Sequence, residues 1–167
     1  KMRGHIAGLL RKSAEKPQTD MYVAMYASLG LAMMGEDASS PFFLESIEID
    51  NAKLQVESRS AMAMALGFLG DRKAVSLLRA NGNKGEPDIA GYAALALGIL
   101  GEVGAKDIVR KELLNTRGKA QVQRSACWAL GLLGDRSDID LLIRVLKFEG
   151  TEKHTVRGAA AIAIGLI

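Results

Sequence analysis

The chain has 167 residues, of which 49% are hydrophobic and 25% charged, and its formal net charge is +3. This composition is ordinary for a water-soluble protein, and the length suits a single domain over residues 1–167. The net charge is too small to indicate a nucleic-acid partner by itself. The single cysteine, Cys127, excludes an internal disulfide and a zinc site built from cysteines.

The apolar runs are shorter than the roughly 18–20 residues that a membrane span requires. The longest of them, such as residues 89–100, are typical of buried helices. The sequence opens with no secretory signal pattern, and a lone cysteine suits a reducing compartment, so we expect a cytoplasmic protein. Because both ends of the chain fall within helical patterns, we also expect a piece of a longer protein.

Helical periodicity recurs along the whole chain. It predicts helices, in chain order, over residues 5–16, 17–34, 41–49, 54–69, 72–80, 87–100, 105–115, 121–133, 136–148 and 155–167. Polar joints are predicted at residues 81–88, 115–120 and 149–154. From residue 17 onward these helices fall into pairs, each with a first and a second helix. The helix 5–16 is interpreted as a second helix without its partner.

The first helices share one sequence motif. ALGFLGD (65–71), ALGILGE (96–102) and ALGLLGD (129–135) recur, and a looser copy ends at Gly35 and Glu36. The final glycines of the copies are 31 to 35 residues apart, a period that is typical of stacked two-helix repeats. The sequence therefore predicts an all-α protein, an α–α superhelix (solenoid) of about five stacked antiparallel helix pairs.

The two glycines of the motif have different expected roles. The inner glycine lies within a helix, where it costs roughly 1 kcal/mol relative to alanine. Its recurrence at one repeat position indicates that a neighbouring helix packs closely there, at Gly67, Gly98, Gly131 and Gly165. The outer glycine is expected to end the helix in a left-handed conformation. It is found at Gly35, Gly70, Gly101 and Gly134, and the acid that follows, Asp71, Glu102 or Asp135, is expected to cap the second helix.

These motifs resemble the HEAT-like repeats of the phycobilisome (PBS) lyase type, whose units carry a pattern near V-R-x-x-A-A-x-A-L-G-x-L-G-D. Residues 156–165 match it best, with Arg157 at the arginine position, and Arg59 and Arg124 fall within a residue of that place. Residues 87–91 lack the arginine. The resemblance covers about residues 19–167 and implies an armadillo-like helical superhelix. It implies no single function, because such repeats occur in bilin lyases, scaffolds and many other proteins.

The sequence contains no recognisable catalytic or metal-binding pattern. His5 and His154 are far apart, and neither is followed by the glutamate of the His-Glu pairs in HEAT-like deoxyhypusine hydroxylases. Cys127 lies in an apolar helical segment and is expected to be buried and unreactive. Tyr92 and Trp128 are expected to pack in the core or at a groove edge. We therefore predict that the protein is not an enzyme and has no catalytic residue, metal or cofactor.

Basic residues recur on the second helices, which often line the concave face of superhelices of the resembling type. We define the basic strip as nine residues: Arg72, Lys73, Arg79, Lys106, Arg110, Lys111, Arg136, Arg144 and Lys147. The segment 37–50 that precedes the strip carries four acids and no base. A competing interpretation is that the strip is simply the solvated face of the second helices.

The basic strip predicts a non-catalytic scaffold that binds an acidic protein or peptide. Arg79, Arg110 and Arg144 are the expected anchors, because arginine forms forked hydrogen bonds to carboxylates. Two alternatives remain open. One is a HEAT-like nucleic-acid-binding module, which the short strip and the scarcity of aromatic residues disfavour. The other is an accessory subunit of a bilin-lyase-like enzyme, which rests on the resemblance alone.

Overall fold

The structure is a computed structural model that describes residues 2–15, 20–48, 54–84, 86–114, 119–148 and 153–167. Within these residues the chain forms helices and no strand, which confirms the predicted all-α class. The ten α-helices described are α1 (Met2–Ala14), α2 (Met21–Met33), α3 (Ser40–Ser46), α4 (Val56–Leu69), α5 (Val75–Lys84), α6 (Pro87–Ile99), α7 (Lys106–Leu114), α8 (Ala120–Leu133), α9 (Ile139–Leu146) and α10 (His154–Leu166). Most of the predicted joints 115–120 and 149–154, and the start of the predicted helix 17–34, lie outside the described residues.

The helices pack in two rows, and within each row their order is the order of the chain. The even-numbered helices α2, α4, α6, α8 and α10 lie side by side, each in contact with the next, and we refer to them as the first row. Each odd-numbered helix packs mainly on the even-numbered helix that follows it, as α5 does on α6 and α9 on α10. We refer to the odd-numbered helices as the second row.

Two apolar clusters fill the space between the rows, and α6 contributes to both. Ala93 belongs to the cluster that includes Phe43 and Leu66, whereas Ala94 belongs to the cluster that includes Leu130. Because α6 is covered on both sides, nine of its 13 residues are buried. No helix in the described ranges is long and apolar enough to cross a membrane.

The inner glycines let the first-row helices approach each other at the backbone. A methyl group at Gly98 would lie 2.7 Å from the Cα of Ala129, closer than real Cβ contacts come. Two further pairs repeat this contact at 2.9 and 2.8 Å, namely Gly67 on Ala96 and Gly131 on Ala163. The predicted packing role is thus confirmed at three positions. It is not met at Gly165, because a methyl group there would have no atom within 4 Å.

The outer glycines end or follow the first-row helices in the left-handed conformation, as predicted. Their φ angles are +65° to +70° at Gly35, Gly70, Gly101 and Gly134. Asp71 and Asp135 cap the next element, since each carboxylate accepts the backbone N–H two residues later at 2.9 Å. The prediction fails for Glu102, whose side chain forms no capping hydrogen bond. The longer glutamate side chain reaches two arginines instead.

Two predictions about the second row need correction. Four of its helices begin with a 3₁₀ turn, at residues 37–39, 72–74, 103–105 and 136–138. In addition, residues 81–84 were predicted to start a joint but are the end of α5. Asn81 is fully buried there, and its Nδ2 donates to the carbonyls of Ile47 at 2.7 Å and Leu77 at 2.9 Å. These long-range and local bonds outweigh the low helix propensity of an Asn-Gly-Asn run.

Candidate binding surface

The structure places the whole basic strip on three consecutive second-row units. Arg72 and Lys73 lie in the 3₁₀ turn before α5, and Arg79 lies in α5 itself. The helix α7 carries three strip residues, Lys106, Arg110 and Lys111. The last unit carries the other three, Arg136 in its 3₁₀ turn, Arg144 in α9 and Lys147 at the end of α9. The nine residues are thus on one row, but they differ in what they contact.

Two arginines of the strip share one carboxylate of the next unit. Arg79 donates from Nη2 to Oε1 of Glu102 at 2.8 Å, and Arg72 donates to Oε2 of the same residue at 3.1 Å. Arg72 also donates to the carbonyl of Leu100 at 3.2 Å. The Glu102 side chain is only 17% exposed, so both cations compensate a largely buried charge.

The cations of α7 repeat this arrangement one unit further along. Arg110 donates from Nε to Oδ1 of Asp138 at 2.7 Å, and this hydrogen bond raises the pKa of Arg110. The Asp138 side chain is 1% exposed. Lys106 forms an ion pair with Asp135. Hydrogen bonds from Lys106 and from the backbone N–H of Ser137 hold the pKa of Asp135 well below its usual range.

These ion pairs link each unit to the next one along the chain. Their partners are 28 to 30 residues apart in the three pairs Arg110–Asp138, Lys106–Asp135 and Arg72–Glu102. At the amino-terminal end, Arg11 of α1 likewise lies 28 residues from its partner, the hydroxyl of Ser39, at 3.4 Å. Counting charge segment by segment could not reveal this, because each cation and its acid belong to different segments. Four strip residues, Arg72, Arg79, Lys106 and Arg110, therefore have acidic partners within the chain.

The remaining strip residues are exposed and have little or no contact with other side chains. Lys111 reaches only the carbonyl of Asn83, at 3.4 Å. The side chains of Lys73, Arg136, Arg144 and Lys147 form no ion pair with any residue that the structure describes. Three of these four cations belong to the last unit. Within the described ranges the basic strip is thus uneven, because the cations that lack an acidic partner there are concentrated towards α9.

The exposed side of the last unit carries five residues, which we name the α9 face. It consists of Arg136, Asp140, Ile143, Arg144 and Lys147, all of them exposed. Arg136 precedes Asp140 by four residues, and Ile143, Arg144 and Lys147 follow it by three, four and seven, which places all five on one side of the helix. Three cations and one acid give this face a net charge of +2. Ile143, which is 39% exposed, adds an apolar contact between the charges.

The arginines of the repeat motif are structural. Arg59 of α4 is 4% exposed and donates to the last carbonyls of α3 and beyond, from Nε to Ser46 at 3.2 Å and from Nη2 to Glu48 at 2.7 Å. Arg157 of α10 donates to the carbonyl of Phe148 at 2.9 Å. Positive charge at these positions satisfies the free carbonyls at the end of a helix.

In α8, Gln123 occupies the position at which the motif has an arginine. Its Nε2 donates to the carbonyl of Leu113 at 3.1 Å, in the same way as the arginines at the ends of α3 and α9. Arg124, which the resemblance placed within a residue of the position, lies over the ring of Trp128 at 5.4 Å. This stacked pair gives Trp128 a packing role, as the sequence predicted.

The residues with nucleophilic or metal-binding side chains are separate from one another. Cys127 is fully buried, and burial raises its pKa to about 12, so its thiol is protonated at neutral pH. His5 and His154 are exposed at opposite ends of the helix order. Across the described ranges, no three His, Cys, Asp or Glu side chains converge as metal ligands would.

In the described part of the chain, two of the clefts lie between neighbouring units. The larger one, of about 400 Å³, lies between the turns that precede α3 and α5, and it is lined by Asp37, Ser40, Asp71 and Lys73 among others. Ser40 donates to Asp71 across this cleft. The smaller one, of about 250 Å³, lies at the amino-terminal ends of the first row, where Lys119 pairs with Asp88. Both clefts mix acids and bases, so neither matches the α9 face in unpaired charge.

No family model matches the chain, and no curated protein sequence matches it.

Proposed function

We propose that the chain is a HEAT-like α–α superhelix that acts as a non-catalytic scaffold and binds an acidic protein segment on its second row. The order of helix contacts supports the superhelix, because each first-row helix packs on the next first-row helix and each second-row helix packs on the first-row helix that follows it. The repeated Gly–Ala contacts of the first row support it as well. In such a stack each unit supplies the apolar wall that its neighbour lacks.

The unpaired charge of the α9 face is the observation that carries the binding proposal. Arg144 and Lys147 are exposed and form no ion pair with a described residue, so a partner carboxylate meets them without displacing an acid of the described ranges. Arg79 and Arg110, the other two anchors expected from the sequence, would have to give up Glu102 and Asp138. We therefore assign the main anchoring role to Arg144, with its forked guanidinium.

The preferred partner is an acidic segment with an apolar side chain among its carboxylates. Ile143 offers the apolar contact, and the three cations of the α9 face surround it at helical spacing. Association should be salt-sensitive, because these charges are exposed and screened by ions. A single cysteine fits a reducing compartment, and we expect the scaffold to act in the cytoplasm.

The test compares two variants with the same change in net charge. The variant Arg144→Gln/Lys147→Gln removes two positive charges from the α9 face. The control Gln55→Glu/Thr155→Glu adds two negative charges at exposed positions near the starts of α4 and α10. Fluorescence anisotropy measures the binding of a labelled glutamate-rich peptide with one central leucine. We expect the first variant to bind at least tenfold more weakly, about 1.4 kcal/mol, and the control to bind like the parent.

Equal weakening in both variants would refute the α9 face, because binding would then follow net charge alone. A labelled DNA duplex is measured under the same low-salt conditions. If the duplex binds more tightly than the peptide and loses affinity in the Arg144→Gln/Lys147→Gln variant, the protein is a nucleic-acid-binding module instead.

A further inference from the structure

Three interior helices of the first row leave one side open to solvent. The helices α4, α6 and α8 each have a first-row neighbour on both sides, so this side is not an end of the stack. Leu69 and Leu133, at the helix ends, pack on the apolar clusters. The other residues after the first turns that are not buried are named the first-row face: Met64, Phe68, Tyr92, Ile99, Arg124, Trp128 and Leu132. In each helix they are four or seven residues apart, which places them on one side.

The first-row face has the composition of an interface. The solvent side of a surface helix is normally polar, but Arg124 is the only charged residue of this face. Aromatic residues, methionine and arginine are enriched at the centres of protein interfaces, where lysine and acids are depleted. Phe68 and Leu132 are 50% and 47% exposed, so much apolar surface stays in contact with water. Covering this surface is favourable because it removes apolar area from water.

The spacing of the helices gives the first-row face a concave shape. Neighbouring helices of the first row are in backbone contact through the inner glycines, whereas neighbouring units of the second row are bridged by long charged side chains. We therefore expect the stack to curve towards the first row. A cleft of about 250 Å³ on this side accordingly touches four successive units, at Met25, Ser60, Tyr92 and Gln121 among others.

Arg124 determines which charge a partner must carry. Its guanidinium lies over the ring of Trp128, 5.4 Å from the ring centroid. It forms no ion pair with any residue that the structure describes, and its buried Nε has no hydrogen-bond partner there. A cation within an apolar surface that a partner covers needs an anion beside it. A carboxylate fits best, since arginine binds it with two parallel hydrogen bonds.

One apolar residue per unit forms a line across the three helices. Phe68, Ile99 and Leu132 each lie two residues before the outer glycine of their unit. Packed helices are about 8–10 Å apart, which is close to the roughly 10.8 Å of two helical turns. A helix that crosses the row therefore places one apolar side chain over each unit when its apolar residues recur at every second turn.

A second copy and a membrane do not match the first-row face. Two concave faces cannot meet along their length, and the other side of the stack carries the charged second row. Anionic bilayers attract clusters of free lysines and arginines. The amino-terminal border of the face instead carries Glu57 and the ion pair of Asp88 with Lys119. A rod-shaped partner with an apolar stripe and a carboxylate matches both the shape and the charge.

We propose that the first-row face is a docking groove for an amphipathic helix of a partner protein. The apolar stripe of that helix lies on Phe68, Ile99 and Leu132, and a carboxylate beside the stripe pairs with Arg124. The proposal rests on the stacked architecture proposed above but does not involve the basic strip. The chain then has two binding surfaces, an apolar one on the first row and a charged one on the second.

The fluorescence of Trp128 tests the proposal, because this residue is the only tryptophan of the chain. The probe is a synthetic helical peptide of about 20 residues without aromatic side chains. Its leucines form one stripe, and a single glutamate lies beside the stripe. We expect the peptide to shift the emission of Trp128 to shorter wavelength and to protect it from acrylamide, with half-saturation at or below roughly 100 µM. The acidic peptide that tests the α9 face should leave this emission unchanged, so the two proposals fail separately.

Two sets of variants locate the contact. Phe68→Ser/Leu132→Ser should weaken binding of the leucine-stripe peptide at least tenfold. The control Leu114→Ser alters an exposed leucine of α7, in the second row, and should bind like the parent. Arg124→Glu should also weaken binding, and a peptide with lysine in place of the glutamate should restore it. Circular dichroism shows whether each variant keeps its helices.

Four outcomes would overturn the proposal. The first is a Trp128 emission that the peptide does not change, and the second is equal weakening by Leu114→Ser. The third is a charge exchange at Arg124 that the lysine peptide does not restore. The fourth is another occupant of the groove. A parent dimer in analytical ultracentrifugation that Phe68→Ser/Leu132→Ser dissociates would identify a second copy. Protection of Trp128 without peptide in a longer form of the polypeptide, but not in the 167-residue chain, would identify an adjoining segment.

Discussion

Neighbouring units contact each other differently in the two rows of helices. In the first row, α6 and α8 approach through glycine and alanine, with a backbone-to-backbone contact at Gly98 and Ala129. In the second row, long charged side chains bridge neighbouring units, as Arg110 does to Asp138. The first kind of contact has no flexible side chain that could adapt, whereas the second kind has several. Changes in the first row should therefore cost more stability than changes in the second.

The largest effect is expected for Gly98→Leu. The new side chain would overlap the backbone of α8, and overpacking of this kind costs about 3 kcal/mol or more when backbone must move. Urea unfolding followed by circular dichroism measures the loss. The control Gly165→Leu puts the same side chain where no atom lies within 4 Å. It should be neutral or stabilising by up to about 1 kcal/mol, because leucine favours the helix. Equal losses in both variants would contradict the proposed difference between these glycines.

A smaller effect is expected for Arg59→Met, which breaks a link between the rows. The change leaves the carbonyls of Ser46 and Glu48 without their buried donors, at a cost of about 2 kcal/mol in the free energy of unfolding. The comparison variant is Arg157→Met, which loses one hydrogen bond at a more exposed site. The unfolding temperature should decrease more for Arg59→Met than for Arg157→Met. The reverse order would contradict the role assigned to the buried Arg59.

The ion pair of Lys106 and Asp135 should give the second row a pH-dependent stability. The pKa of Asp135 is lowered in the folded chain, from an ordinary value of 3.8, so the unfolded state binds a proton more readily. The stabilisation is present above about pH 4 and is lost as the pH falls below that value. Asp135→Asn keeps the cap on Ser137 but removes the charge.

Urea titrations at several pH values check this prediction. The difference in the free energy of unfolding between the parent and Asp135→Asn should be constant near pH 7 and shrink below pH 4. Asp37→Asn is the control, because Asp37 is exposed and forms no ion pair with a described residue. An Asp135→Asn difference that persists undiminished at pH 3 would show that the ion pair is not its source.

The smallest effect is expected for Arg72→Gln. Arg72 is 66% exposed and shares Glu102 with Arg79, so the carboxylate keeps one cation after the change. We expect a loss of about 0.5 kcal/mol or less, which is usual for exposed ion pairs. Arg79→Gln, at the less exposed partner, should cost more. If Arg72→Gln costs as much as Gly98→Leu, the contrast between the rows is wrong.

The sequence predicted the first row better than the second. The roles of Gly98 and Gly101 follow from local rules on packing and backbone conformation, and the motif that contains these glycines is repeated along the chain. The end of α5 did not follow, because Asn81 is held in a helix by the carbonyl of Ile47, a residue of another unit. The 3₁₀ turns were also missed, since their boundaries depend on hydrogen bonds that the residue pattern does not show.

The binding surface was predicted only in outline. Periodicity placed the basic strip on one row, and the structure agrees with that placement. It could not show that Arg79 and Arg110 face acids of the following unit, because the register between units depends on how the rows pack. That Arg144, unlike Arg79 and Arg110, has no acidic partner among the described residues became visible only in the structure. The α9 face is therefore an inference from the structure.

The backbone contacts at Gly67, Gly98 and Gly131 also have a mechanical consequence. They fix the spacing of one edge of the stack, while the bridging side chains of the other edge can lengthen when salt weakens them. We expect the stack to bend like a strip with one inextensible edge, so that ionic strength alters its curvature. Small-angle X-ray scattering would record this as a radius of gyration that grows with salt while the helix content stays constant.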